Sequence, residues 1–381
     1  MGSYAETYRK VCVQNRAGDP VSQRNQVSKP TWILREVTED ARDAIIELRE
    51  QVFAVEDLEK RDPSFWSWEF MDSPDGRARL FVAEDGDRIV GHYAIIPQTF
   101  SFAGDRVKGS IVVDVMTHPD YRLQGMFKKI GRYSLAQVSD SIAFATGYPI
   151  RKEVMPGHLS IGWVDHLKIP VLVRPLKWGA LAKRFGIPFG SVLDIMVKPW
   201  RAIRQRLSPS LRSNESIRLL TQADTADLEA VASDAFSDFI HRVRSAAHFD
   251  WRYFASPVWR YRVLGLHREG VLEAFVVGRQ ARLLDTESLA IVDMACRKGE
   301  ERSLTLLVRQ IVAEATSDGL ATAGAMITHG NSGYSALRKA GFYPGPHRFS
   351  LILYALDPAI RQRLTDTTNN WFLMWGDTDD V

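Results

Sequence analysis

The chain is written twice. "WEFMDSP" (Trp68 to Pro74) returns as "WRYFASP" (Trp251 to Pro257), and each copy runs into an apolar stretch and then an acidic-glycine turn, Asp85-Gly86 in one and Glu269-Gly270 in the other. Further on, "IVVDVM" (Ile111 to Met116) is answered by "AIVDMA" (Ala290 to Ala295), and "HLSIGWVD" (His158 to Asp165) by "LRKAGFYP" (Leu337 to Pro344). Matches that keep one order and similar offsets mark an internal duplication. The expected organisation is a flexible leader over 1–30, a first half over 31–180, a linker over 181–214, a second half over 215–357 and a tail over 358–381. The leader is polar and aperiodic, and the linker carries "FGIPFG" and "SPSLRSNES". The tail holds an aromatic cluster, Trp371, Phe372 and Trp375, expected to dock on one of the halves.

Each half mixes strands and helices. "TWILREV" reads as a strand, and "EDARDAIIELREQVF" places Ala44, Ile45, Leu48 and Val52 at helical spacing. "ARLFVAEDGDRIVGHYAIIPQTFSF" is a hairpin about Asp85-Gly86, and "GDRVKGSIVVDVMT" and "SIAFATGY" add strands. This is the pattern of an α/β or α+β layered fold. An apolar content of 45% with 25% charged residues supports a soluble globular core. The net charge of +3 is dispersed, which argues against a nucleic-acid footprint. Two cysteines, Cys12 and Cys296, form no disulfide framework and fit a reducing compartment. No apolar run approaches the roughly 18 residues of a membrane span, so a cytoplasmic location is expected.

Chemistry concentrates in "THPDYRLQGMF" (Thr117 to Phe127), a turn between a strand and a helix. Unpaired backbone N–H groups at a helix start converge there, and the helix dipole favours an anion. Arg122 adds a forked cation suited to phosphate oxygens. Gly125 removes the Cβ that would keep a ligand from the backbone. The spacing matches neither G-x-x-x-x-G-K-[ST] nor G-x-G-x-x-G.

The longer string "VVDVMTHPDYRLQGMFKKI" resembles the acyl-CoA motif of the GNAT superfamily of N-acyltransferases, whose turn reads Q/R-x-x-G-x-G/A after a strand, often with an "HPxYR" lead-in. The resemblance covers about 31–180 well and 215–355 as a degenerate copy. It implies two tandem GNAT-like domains, each a mixed, mostly antiparallel sheet flanked by helices. It further implies a strand bulge at Val115, Met116 and Thr117 for the pantetheine arm and acyl carbonyl. Arg122 and the amides of Leu123, Gln124, Gly125, Met126 and Phe127 would hold the pyrophosphate. The cosubstrate it implies is acetyl-CoA or another acyl-CoA, with no metal. Phe127 departs from the usual Gly or Ala, which is compatible with binding if its ring turns toward the core. The second copy reads "DMACRKGEERSLTLLVRQI", lacks the motif spacing and carries Glu300-Glu301, so no CoA is expected there.

Acyl transfer to an amine needs a neutral amine, a polarised carbonyl and a proton for the thiolate. Members of the family commonly place a Tyr four residues before the glycine of "x-LGF"; here that position is His158, the candidate general acid. Asp114 is the one acid on the motif strand and a candidate base. Strand alternation puts it on the face opposite Ile111 and Val113, and its match to Asp293 suggests a structural role instead. Tyr148, just after the strand that splays from the motif strand, is a further candidate at the mouth where acyl group and acceptor meet, with plain packing the equal alternative. His92 and Tyr93 face either cleft or core, a choice alternation leaves open. Phe65, Trp66, Trp68 and Phe70 read as core, and Cys296 as a buried thiol. The expected activity is direct transfer of a short acyl group to a small-molecule amine, an amino sugar or related metabolite, by a monomer or homodimer. Two other readings are an aminoacyl transferase using aminoacyl-tRNA and a non-catalytic acyl-CoA sensor.

Overall fold

The computed structural model describes residues 31–53, 58–102, 104–177, 210–283, 285–366 and 371–378. The expected leader and most of the expected linker lie outside this set. The first half contributes β1 (Ile33–Val37), α1 (Arg42–Phe53), α2 (Pro63–Phe70), β2 (Arg79–Asp85), β3 (Arg88–Phe102), β4 (Asp105–Thr117), α3 (Met126–Gln137), β5 (Phe144–Gly147), α4 (Met155–Leu159) and β6 (Val164–Pro175). The second contributes β7 (Glu215–Leu219), α5 (Thr225–Ala235), β8 (Ile240–Arg242), α6 (Ala246–Phe249), β9 (Arg262–Arg268), β10 (Val271–Leu283), β11 (Thr286–Cys296), α7 (Glu301–Ser317), β12 (Thr322–Met326), α8 (Ser332–Lys339), β13 (Tyr343–Ala355) and α9 (Pro358–Asp366).

All strands join one sheet in the order β1-β2-β3-β4-β5-β13-β6-β12-β11-β10-β9-β7, with β8 added against β3. Read from either edge, this is the same sequence of equivalent strands. Pairing is antiparallel except at β4–β5 and its counterpart β11–β12. The halves exchange their last strands: β13 pairs with β5, β6 pairs with β12, and the two lie antiparallel side by side at the centre. A sequence boundary near residue 180 therefore does not separate the two halves in space.

The repeated tryptophans meet each other in a reciprocal contact. Trp68 and Trp251 stack with centroids 4.8 Å apart, and each indole N–H donates to the other's carbonyl, at 2.8 and 2.9 Å. Around them Phe65, Trp66, Trp68 and Phe70 are buried, as their pattern implied. In α2 the start is fixed locally: Asp62 accepts from the backbone N–H of Ser64, and Pro63 occupies the first turn, where its missing N–H costs nothing.

In the first half the sheet separates two apolar layers. Ile45 and Leu48 of α1 and Trp66 and Phe70 of α2 pack with Ala94, Ile96, Ile111 and Val113 on one face. Ile130 and Leu135 of α3 pack with Tyr93, Ile95 and Val112 on the other. The period of two along β3 resolves the ambiguity at the hairpin. Tyr93 belongs to the α3 face, and His92, edge-on to Phe70 at 6.3 Å, belongs to the α1–α2 face.

Candidate active site

β4 and β5 pair only from Gly109 to Ile111, opposite Phe144 to Thr146. Beyond that point β5 ends at Gly147 while β4 continues to Thr117, so one edge of β4 loses its neighbour. Within this stretch Met116 is buried, whereas Asp114, Val115 and Thr117 are half-exposed. The side chain of Asp114 is only 7% exposed, so what it presents to the opening is main chain.

A bulge sits at this point. The register with β3 jumps from His92 opposite Met116 to Ala94 opposite Val113, leaving Asp114 and Val115 against the single residue Tyr93. Asp114 adopts a left-handed φ of 49°, uncommon for a residue with a Cβ. The bulge overturns the alternation argument for this residue. The Asp114 carboxylate lies on the α1–α2 side, ion-paired with the buried Arg49, not on the opposite face. Burial there opposes ionisation, but Arg49, Lys60 and His92 outweigh it and hold the carboxyl below its ordinary value. Asp114 is thus a charged, paired group, a poor acceptor of further protons.

The turn that follows is clamped to the β2–β3 hairpin. Tyr121 donates its hydroxyl to Asp85 at 2.6 Å, and the backbone N–H of His118 donates to Val90 at 2.9 Å. The His118 ring stands between two donors, the Asp120 backbone N–H at Nδ1 (3.2 Å) and the Arg88 guanidinium at Nε2 (2.7 Å). A neutral ring accepts one of these at a time, and a protonated ring neither. Burial first and then the Arg88 charge push its pKa down.

Past this clamp Arg122 is exposed, Leu123 has a φ of 64° and its side chain is fully in solvent, and Gly125 caps α3 with a φ of 76°. Alternating handedness of this kind turns successive N–H groups to one side and forms a hollow at the helix start, a geometry of the kind that suits anions. A Cβ on Gly125 would meet nothing within 4 Å. The positive φ is therefore what favours glycine, and the space beside the helix start stays clear. Met126 is buried at the base of α3 beneath this hollow.

Phe127 turns away from the hollow, toward α4. Its ring is half-buried, 4.9 Å edge-on from His158 and hard against Gly157. His158 in turn lies edge-on to Trp163 at 5.4 Å. With the ring 5% exposed and no partner for Nδ1 among the described residues, burial pushes its pKa down to about 4. At neutral pH His158 is an uncharged ring, and the imidazolium that a proton donor would require is scarce. Tyr148 is buried in the α1–α2 layer. The second half completes the wall beyond β5: Tyr354 of β13 packs 5.7 Å from Trp163 and against Gly162, and Ile352 against Gly147. This contribution depends on the strand exchange, which no local sequence pattern signals.

The counterpart in the second half is filled. β11 is buried from Ser288 to Cys296. Beside it the segment Trp371 to Thr378, buried throughout, occupies the opening between β11 and the end of β12. Met374 bridges Ile327, Trp375 packs on Gly324, and Gly376 sits so close to Val292 O that an added Cβ would lie 3.0 Å from it. Asp293 is tied to Arg244 at 2.8 Å and to Tyr253 at 3.0 Å, and Arg244 also holds Asp377. Where a phosphate would meet the start of α7, Glu300 pairs with Arg268 and accepts from Ser303. Cys296 is buried, and its pKa is pushed up to about 12 by that burial. Among the described residues no cluster of His, Cys, Asp and Glu could hold a metal ion, and no helix is long and apolar enough to cross a membrane.

A splayed parallel strand pair, a bulge at the splay and left-handed residues at a helix start lie together on this side of the first half. The profile of the acetyltransferase (GNAT) domain matches residues 34–162, which hold all of these features, and this part of the chain belongs to the GNAT superfamily. No curated protein matches it by sequence. Solved structures resemble it in fold. A GCN5-related N-acetyltransferase from Anabaena variabilis is 11% identical with a TM-score of 0.60, over 85% of this chain and 73% of that one. A probable N-acyltransferase from Enterococcus faecalis is 11% identical with a TM-score of 0.61, over 86% and 73%. Saccharomyces cerevisiae N-myristoyltransferase, solved with myristoyl-CoA, is 13% identical with a TM-score of 0.58, over 89% and 81%.

Proposed function

We propose that the first half transfers an acetyl or other short acyl group from acyl-CoA to the amine of a small-molecule acceptor, an amino sugar or related metabolite, by direct transfer in a ternary complex. The observation that carries this reading is the contrast inside one chain. β4 presents a bulged, half-exposed backbone beside a clear left-handed hollow, whereas β11 has both places filled by its own residues. The hollow fits a pyrophosphate by its N–H groups and by the absence of side-chain obstruction at Gly125. The second half then supports the site and closes its wall with β13.

Bound acyl-CoA supplies an activated acyl group, a thioester whose C–S bond breaks as the amine's N–C bond forms, the amine's proton ending on the released thiol. In this reading the amides of Leu123 to Phe127 and the cation of Arg122 hold phosphate oxygens, and the backbone of Val115, Met116 and Thr117 orients and polarises the acyl carbonyl. Asp114, being ion-paired, sets the backbone rather than moving protons. His158, uncharged and buried, shapes the wall with Phe127. Such a site accelerates transfer by orientation and carbonyl polarisation, terms that carry much of enzymic rate enhancement.

The test is calorimetry with acetyl-CoA and a series of longer acyl-CoAs, followed by turnover on a panel of amines. Binding weakened by about tenfold or more in Arg122→Ala, together with turnover of the wild type on a small amine, supports the proposal. Absence of acetyl-CoA binding to the wild type would remove it. Binding without turnover would favour a sensor, and transfer from aminoacyl-tRNA the third reading.

A further inference from the structure

The left-handed residue at the bulge is held from beneath by two buried side chains. His92, wholly buried, has its Nδ1 2.9 Å from the carbonyl oxygen of Asp114. A carbonyl only accepts, so Nδ1 carries the proton and the ring is the neutral Nδ1–H tautomer. Arg49, also buried, pairs with the Asp114 carboxylate and lies over the Phe53 ring at 4.9 Å. Main chain and side chain of one residue are therefore each tied to a different element, β3 and α1.

Peptide geometry turns this tether into a direction. In a trans peptide the C=O and the following N–H point opposite ways, and no peptide bond among the described residues is cis. With the Asp114 carbonyl drawn to the His92 ring on the α1–α2 face, the N–H of Val115 is turned away from that face. β3 and β5 flank β4 on opposite edges, and at Val115 the β5 edge is uncovered, so this N–H is set beside the open edge and outside the α1–α2 layer. Val115 is the second of the two residues opposite Tyr93, which frees it from the regular ladder. The equivalent strand lacks the device. β11 carries its irregularity at Val292, and Asp293, bonded to Arg244 and Tyr253, has no left-handed φ.

We propose that His92 is a positioning residue, assisted by Arg49, that aims the Val115 N–H at the acyl carbonyl of the bound thioester. The inference rests on the acyl-CoA reading above and deepens it. It separates two tasks by place: the hollow after Arg122 provides affinity, and the His92–Asp114 tether provides polarisation of the reacting carbonyl.

The experiment needs no acceptor. Acetyl-CoA labelled with ¹³C at the thioester carbonyl is bound to the protein, and the carbonyl stretch is read by isotope-edited infrared difference spectroscopy, alongside calorimetry with CoA itself. In the wild type the band moves to lower frequency than in free acetyl-CoA. His92→Leu loses that shift while CoA affinity stays within about threefold, since the phosphate contacts are elsewhere. His92→Asn, whose amide nitrogen overlays Nδ1, keeps most of the shift; His92→Gln, whose amide overlays Nε2, does not. Should His92→Leu prove unstable, the Asn and Gln pair carries the same contrast. An unchanged band in His92→Leu or His92→Gln overturns the proposal, as does equal loss in Asn and Gln or a fall in CoA affinity parallel to the band in every variant. Failure of the wild type to bind acetyl-CoA at all would instead remove the acyl-CoA reading, and this inference with it.

Discussion

Gly157→Ala provides a test of how Phe127 is seated. A Cβ at Gly157 would stand 2.6 Å from Phe127 Cε1, 2.9 Å from Cδ1 and 3.3 Å from Cζ. These are ring atoms held between His158 and the α4 backbone, so the ring must leave its slot. Overpacking of this kind costs about 1–3 kcal/mol. Alanine in place of glycine inside a helix returns about 0.5–1 kcal/mol. The net expectation is a loss of roughly 0.5–2 kcal/mol in urea unfolding. Phe127→Ala removes a half-buried ring and costs around half of the roughly 3–5 kcal/mol of a fully buried Phe→Ala change. In that background the clash is gone, and Gly157→Ala should become stabilising by about 0.5–1 kcal/mol. The sign of the Gly157 effect therefore reverses with the residue at 127, a coupling of order 1–3 kcal/mol. Acetyl-CoA titrated into the same four proteins adds a second reading. With the ring turned from the hollow, Phe127→Ala binds within about threefold of wild type, and Gly157→Ala, which drives the ring out, binds more weakly. Additive stabilities, or tighter binding in Phe127→Ala by tenfold or more, would refute this placement of the ring.

Other perturbations reach different parts of the molecule. Arg122→Ala removes a charged donor from the hollow and should weaken acetyl-CoA by about tenfold or more, since hydrogen bonds to charged groups contribute roughly 1.5–3 kcal/mol, with no change in melting temperature. His118 is neutral in the fold because its pKa is lowered, so its contribution is full above its ordinary value near 6.5 and is lost as pH falls through the lower folded value. Acetyl-CoA affinity measured from pH 8 to pH 5 should drop on the acid side, and in His118→Asn, which keeps an acceptor near Nδ1, the drop should flatten; equal profiles would remove His118 as its source. Trp375→Ala empties a site that is 2% exposed and should cost about 3–5 kcal/mol by denaturant unfolding, a loss below 1 kcal/mol contradicting the docking described.

Local chemistry was legible in the sequence wherever a residue's job is set by its immediate neighbours. Gly125 after "YRLQ", Asp85-Gly86 between two apolar runs and the Trp-aromatic-Pro repeats each encode a backbone geometry or a buried ring within a few positions. The strand exchange was not legible, because β6 and β13 carry the same apolar pattern whichever partner they join, and pairing at long range leaves no mark on period two. Asp114 lies on the face opposite to the one alternation predicts, for a related reason. Alternation assumes an unbroken ladder, and a single left-handed residue resets it. His158 could be counted to its position before Gly162, but not to its burial, which depends on Phe127 and Trp163 closing around it.

The exchange also gives the second half a reason to persist without a hollow of its own. β5 is four residues long and has β4 on one edge over only part of its length, so its other edge would be exposed if the first half stood alone. β13 covers that edge from Phe144 to Gly147 and brings Tyr354 and Ile352 against Trp163, Gly162 and Gly147. The far edge of β5, beyond its splay from β4, is thus covered by a strand from the other copy. The other copy keeps its own opening closed with residues 371–378, and Phe372 stacks on Phe236 at 3.9 Å while Trp371 reaches Phe100 and Phe144 of the first half. That segment therefore packs against both halves at once and ties them together at Phe100, Phe144 and Phe236.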